Sequence, residues 1–183
     1  MVDRRWYGNV RYDDRGGARL EYNQVVADRW TLGTAFELLN DSFNATPSQS
    51  GREFSFTVAP RYTLNSTTTL GLTATTGALW SQADFLGEHS YSLGAYYNQE
   101  FPGGITFNVQ PLVQRTLFGA TNPLFLAGRQ DTAAVLQATI TDRAWRIGNF
   151  TPYIGYSHTQ NRSNIPLFTY NSDQFLFGFQ HEY

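Results

Sequence analysis

The chain is expected to be all-β, an antiparallel transmembrane β-barrel of about ten strands, and three observations lead there. The terminal stretch Ser172 to Tyr183 places Phe175, Phe177, Phe179, His181 and Tyr183 on alternate positions, with Gln174, Leu176, Gly178, Gln180 and Glu182 between them. Strand side chains point to opposite faces in turn, so one face wants hydrocarbon and the other mostly wants water. A free apolar edge of this kind invites aggregation, whereas a closed barrel pairs it with the first strand. Composition agrees: 16% of residues are aromatic, 16 are Gly, only 15% are charged and the sole Met is Met1, which favours strands and tight turns. The period of two also returns along most of the chain. A mean hydropathy of -0.39 is no objection, because a barrel is apolar only on alternate residues.

Each element follows from that period. The first expected strand, Arg5 to Asp13, sets Trp6, Val10 and Tyr12 against Tyr7, Asn9, Arg11 and Asp13, and Gly16-Gly17 supplies a turn. Ala18 to Ala27 is less regular, and Asp28-Arg29 turns the chain into a strand with Trp30, Leu32, Phe36 and Leu38 on one face. Asn40 to Gly51 reads as loop. Phe54 to Leu64 alternates cleanly, with a bulge expected at Pro60, which cannot donate to a ladder. Thr68 to Ser81 sets Leu70, Leu72, Ala74, Ala78 and Trp80 against small polar residues. Tyr91, Leu93, Ala95, Tyr97 and Phe101 share a face of the next strand, and Pro102-Gly103-Gly104 turns it. Ile105, Phe107, Val109, Pro111 and Val113 mark the seventh strand and Thr132 to Thr141, the least regular, the eighth. Phe150 to Thr159 precedes the terminal one.

The connections near 161–171, 119–131, 82–90 and 40–53 are long, while those at 102–104, 65–67 and 28–29 are short. Outer-membrane barrels have short periplasmic turns and longer extracellular loops, so the long set is expected outside. The short Arg15 to Gly17 turn breaks this rule, and 142–149 is the exception on the other side. Parity then puts both chain ends in the periplasm. Aromatic residues at strand ends, Trp6, Trp30, Trp80, Phe101, Phe118, Phe150 and Tyr183, read as interfacial girdles. A soluble β-sandwich or lipocalin-like barrel would also alternate, but would not need an apolar face on nearly every strand.

Other classes find little support. No apolar run approaches the roughly 18 residues of a spanning helix, and no signal-peptide core follows Arg4 and Arg5; the native start is expected upstream. Zero cysteines exclude a disulfide framework and a thiolate metal site. All 13 basic residues are Arg against 15 acidic ones, so no basic face predicts nucleic-acid binding. His89, His158 and His181 lack metal-ligand spacing, and no metal or cofactor is expected. Asp84, Glu88 and His89 lie where a rim protease would place its acids and histidine, but no nucleophile or phosphate motif accompanies them, and no enzymatic activity is expected.

By parity Arg11, Glu37, Arg61 and Glu100 face inward, where opposite charges pair in a narrow lumen or tune selectivity. Arg115 falls outward near the outer rim, placed to meet lipid phosphate or to snorkel. Leu124, Phe125 and Leu126 in one loop, and Ile165, Leu167 and Phe168 in another, are unusually apolar for free loops. They either fold together as a plug or form an exposed partner patch.

From Thr116 to Tyr183 the chain resembles the C-terminal barrel of the surface lipoprotein assembly modifier family of Gram-negative outer-membrane proteins. The resemblance rests on Asn122-Pro123-Leu124-Phe125 with Arg129 and Asp131, Phe150-Thr151-Pro152-Tyr153, Asn161 with Ser163-Asn164-Ile165-Pro166-Leu167 and Tyr170, and the aromatic terminal strand. It implies one barrel domain over 1–183 in the bacterial outer membrane, without the family's periplasmic helical-repeat region and with fewer strands. It also implies that the barrel assists translocation and surface display of lipoproteins. The implied partners are membrane lipid, a surface lipoprotein client and the barrel assembly machinery, which would read Phe175, Phe177, Phe179 and Tyr183 as an insertion signal. His181 departs from that signal's usual apolar residue. A passive pore or a structural barrel without a client is the alternative.

Overall fold

A computed structural model describes residues 2–7, 10–44 and 46–181. The side chains of residues 2–12 and 181 lie outside that description, so the placements expected for Trp6, Arg11, His181 and Tyr183 do as well. Ten strands follow in chain order: β1 Val2–Tyr7, β2 Val10–Ala27, β3 Trp30–Phe43, β4 Gly51–Asn65, β5 Thr68–Ser81, β6 Glu88–Glu100, β7 Ile105–Asn122, β8 Ala127–Asp142, β9 Phe150–Ser163 and β10 Tyr170–His181. They form a single antiparallel sheet in the order β1 through β10. Among the described residues no ladder joins β1 to β10, so the expected head-to-tail pairing is not found and the sheet is open there. The six-residue β1 covers only Val10–Gly16 of β2. No described helix is long and apolar enough to cross a membrane.

The first hairpin differs from the expected one. Tyr7 pairs with Val10, and Gly16 and Gly17 sit inside β2 opposite Asn40 and Leu39. Glycine here serves close approach rather than turning: a Cβ on Gly17 would lie 2.1 Å from the Leu38 carbonyl oxygen. Arg15, expected in a turn, is thereby a strand residue. The bulge expected at Pro60 is absent, because the β4/β5 register on either side of it (Val58 with Ala74, Arg61 with Gly71) is unchanged. Proline leaves rungs unmade without adding a residue. The long connections are shorter than expected because the strands run on past the alternation. The β7–β8 connection is a four-residue turn beyond Asn122, and short 3₁₀ turns occupy Pro47–Gln49, Asp84–Leu86 and Pro166–Phe168 at the same end.

The sheet's two faces are inverted relative to a water-soluble protein. Phe175, Phe177 and Phe179 are 68%, 75% and 62% exposed, and Leu70, Leu72, Trp80, Leu93, Val113 and Ile154 share their apolar face. Among the described residues the buried hydrophobics are Leu39, Ala78 and Ile165, while Asp13, Asp41, Thr116, Asp131, Thr141, Thr151 and Asn161 are buried polar residues. Folding that shields hydroxyls and carboxylates while exposing aromatic rings makes sense where the outside medium is apolar. On the shielded face, the Thr57 and Thr75 hydroxyls bond across β4 and β5 at 2.9 Å.

Candidate functional site

At the end of the polar face where the loops gather, strands β2, β3, β4, β6 and β8 contribute a charged collar. Period-two placement on neighbouring strands brings Arg15, Asp41 and Glu53 to one height. The Arg15 guanidinium donates to both Asp41 carboxylate oxygens at 2.6 and 3.0 Å and to Glu53 at 3.0 Å. A planar fork matched to a carboxylate in this way fixes geometry as well as charge. Glu53 and Glu88 line one polar cavity of about 360 Å³, together with Ser55, Thr75, Ser90 and Gln114.

Across the collar, Arg129 pairs with Asp131, its Nε donating at 2.9 Å. The guanidinium carbon lies 4.3 Å from the Phe118 ring centroid and 3.6 Å from that of Phe168. Phe118 has the parity of Gln114 and Thr116 and pairs in register with Glu88 of β6, so the ring belongs to the collar and not to the interfacial girdle expected of it. Trp30, Trp80, Phe101 and Phe150 do lie exposed. Burial pushes the Asp131 carboxyl up, but the paired Arg129 guanidinium, with Ser163 and Asn161 nearby, outweighs it and holds the carboxyl below its ordinary range. Glu88, beyond Tyr91 toward the loops, goes the other way: burial raises it, nearby Arg129 lowers it, and Glu53 and Asp131 add to the rise. Carboxylates therefore outnumber guanidiniums in the collar, and burial penalises the ionised form of one of them, Glu88.

The two apolar loops divide their residues between packing and exposure. Phe125 and Phe168 meet edge to face with centroids 5.8 Å apart, and Ile165 is 3% exposed beneath them. Asn164 locks the β9–β10 connection to the start of β8, donating to the Gly128 carbonyl at 2.7 Å and accepting from the Gln130 amide at 2.7 Å. Asn161 donates to the Phe168 carbonyl at 2.7 Å. Leu124, Leu126 and Leu167 point away from this cluster, at 84%, 83% and 73% exposure. Leu126 adopts φ of 51°, a left-handed conformation that costs a branched residue about 1 to 2 kcal/mol, held here by the Leu126 amide bond to the Asn122 carbonyl.

The other charges expected to face inward stand apart from this collar. Glu37 accepts from Arg19 at 3.0 Å, Arg61 lies 5.9 Å from the Tyr96 ring centroid, and Glu100 accepts from Arg143 at 3.1 Å. That last pair borders a polar cavity of about 390 Å³ at the opposite end of the face, with Asn108, Thr139 and Gln180. Glu88 and His89 are consecutive in β6 and so face opposite ways, which separates two of the three residues a rim protease would need. Among the described residues no group of His, Asp and Glu could hold a metal ion. Arg115 is occupied by its neighbours, Thr132 at 2.7 Å and Gln130 at 2.6 Å.

Sequence reasoning missed one polar cluster. On the apolar face, Asp173 accepts from Tyr156 at 2.7 Å and meets the His158 Nδ1 at 2.8 Å. Its signal was available: in a hairpin closed near residue 165, positions 158 and 173 oppose each other.

A family model described as "Surface lipoprotein assembly modifier" matches residues 1–183. The match extends the resemblance over the first half, where only strands and turns carried it. The chain is similar to "Surface lipoprotein assembly modifier 1" of Haemophilus influenzae (strain ATCC 51907 / DSM 11121 / KW20 / Rd), at 25% identity over 193 residues that cover 95% of this chain and 38% of that protein. The chain thus spans well under half the length of that curated relative. No solved structure matches it.

Proposed function

The chain belongs to the surface lipoprotein assembly modifier family, and from this premise we propose that it is an outer-membrane β-barrel assisting lipoproteins to the cell surface. The observation that carries the reading is the inversion of its faces: exposed Phe175, Phe177 and Phe179 outside, buried Asp131, Thr151 and Asn161 inside. In this reading β1 and β10 meet in the bilayer, where an unpaired edge is too costly to persist. The polar face then lines a lumen with the collar and its Phe125–Phe168 lid at the extracellular end. Leu124, Leu126 and Leu167 contact the client as it emerges, and the role is not enzymatic.

Two measurements test this. Bacteria producing the chain with a family client should show more client digested by externally added protease than bacteria without the chain; equal digestion rejects the role. Single-channel recording separates the passive pore from a lidded barrel. The packing of Phe125 on Phe168 and of Phe168 on Arg129 favours the lidded form, which stays electrically silent, whereas a passive pore gives steady open current.

A further inference from the structure

Two grooves adjoin on the apolar face. One, of about 480 Å³, begins at Trp30 and Tyr62 near the short turns and reaches Leu72, Ala95 and Pro111. The other, of about 470 Å³, starts from those same three residues and runs past Ala134 and Leu136 to His158 and Gln160. Because Leu72, Ala95 and Pro111 line both, the grooves form one trough crossing the sheet diagonally toward the loop end.

The sequence explains the dent. Ala95 and Ala134 leave little side chain on its floor. Pro60 and Pro111 cannot donate to the ladder, and rungs are missing beside each: between Val58/Ala74 and Arg61/Gly71, and between Gly94/Leu112 and Tyr97/Val109. Leu93, 63% exposed, stands up as a wall. The lining is apolar or phenolic until His158 and Gln160. There, Asp173 engages the His158 Nδ1, which leaves Nε2 and the Gln160 amide for a ligand.

We propose that this trough holds an acyl chain of the lipoprotein client's own lipid anchor while the client's polypeptide uses the polar face. The inference rests on the reading that the apolar face meets lipid. A resident phospholipid occupies one leaflet and needs a groove at one boundary only. This trough instead starts at the Trp30–Tyr62 belt and ends at the Gln160 amide and the His158 Nε2 toward the opposite end. A lipidated N-terminal cysteine offers ester and amide carbonyls, which accept from the Gln160 amide, and amide N–H groups, which donate to the Nε2 lone pair. A travelling anchor would keep hydrocarbon contact throughout and find polar partners at arrival.

Trp30 lies in the trough and Trp80 lies on the same face outside it, which supplies the test. Two forms of the full chain are refolded in micelles, one retaining only Trp30 and the other only Trp80, with the remaining tryptophans changed to Phe. Each is titrated with a diacylated cysteine peptide brominated on its acyl chains and, separately, with brominated phosphatidylglycerol at equal mole fraction. The trough predicts saturable quenching of Trp30 by the lipopeptide beyond that by the phospholipid, no such excess at Trp80, and loss of the excess in Ala95→Leu and Ala134→Leu. Equal quenching of Trp30 by both probes overturns the trough whatever the variants do. Failure of both probes to quench Trp80 overturns the lipid-facing reading itself.

Discussion

The Arg129 guanidinium lies 3.6 Å from the Phe168 ring centroid while paired with Asp131, so one cation ties the β9–β10 loop to the β8 strand of the collar. Phe118 closes its other side at 4.3 Å. A desolvated cation over an aromatic face is worth about 2 kcal/mol, and stranding a buried carboxylate costs about 3 kcal/mol or more.

Arg129→Met is therefore expected to destabilise the refolded protein by about 3 kcal/mol. Arg129→Met with Asp131→Asn should cost less than the sum of the single changes, because the second removes the charge that the first strands. Urea titration followed by tryptophan fluorescence checks both, and strict additivity contradicts the pairing.

Glu88 gives a pH dependence of opposite sign to Asp131. Burial raises the Glu88 carboxyl above its ordinary 4.5, so the ionised form is penalised on folding. That penalty is complete above the folded value and is relieved as pH falls through it, down to the unfolded value. Glu88→Gln should accordingly stabilise the protein at neutral pH and confer no advantage below pH 4.5; a gain independent of pH rejects the burial argument.

Asp131 is held below its ordinary 3.8 despite its burial, chiefly through the paired Arg129 guanidinium with Ser163 and Asn161 nearby. A depressed carboxylate contributes stability that is present above the unfolded value and is lost as pH falls through the folded one. Asp131→Asn should lower stability at neutral pH and flatten the acid limb of the unfolding profile below pH 3.8. An unchanged acid limb would show that the bonds to this carboxylate matter little.

Gly17 and Gly178 separate rigid from yielding close contacts. A Cβ at position 17 meets the Leu38 carbonyl at 2.1 Å, whereas one at 178 meets the Tyr153 hydroxyl at 2.7 Å, the far end of a side chain. Gly17→Ala is expected to cost about 3 kcal/mol, the upper range for overpacking, and Gly178→Ala about 1 kcal/mol. Hydrogen exchange of the β2–β3 amides reads the first change directly, and equal costs at the two sites contradict the distinction.

Much of this was legible in advance because a period of two needs no partner to be seen. Strands β3 to β7 and β10 follow it, as does the exposure of Phe175, Phe177 and Phe179. Features that depend on a neighbouring strand were not. Gly16-Gly17 carries the same letters whether it turns or accommodates Leu39, and only pairing with β3 decides. Pro60 signals a defect without saying whether a residue is added or a rung is lost. The charged collar drew on Arg15, Arg129 and Asp131, which the alternation had assigned to turns and loops, since polar strand extensions above a membrane look like loop. The loop residues Phe125 and Phe168 announced their oddness by being apolar, but only a shared cation shows why they meet.

The central claim is that the Phe-bearing face of β10 meets lipid while the alternate face meets water. Nitroxide labels placed singly from Asp173 to Gln180 of the chain in bilayers, with collisional relaxation by oxygen and by a nickel chelate, test it most directly. The account predicts a period of two: positions 175, 177 and 179 accessible to oxygen, and positions 174, 176, 178 and 180 accessible to nickel. Uniform nickel access, or labels at 175, 177 and 179 shielded from both reagents, would contradict it.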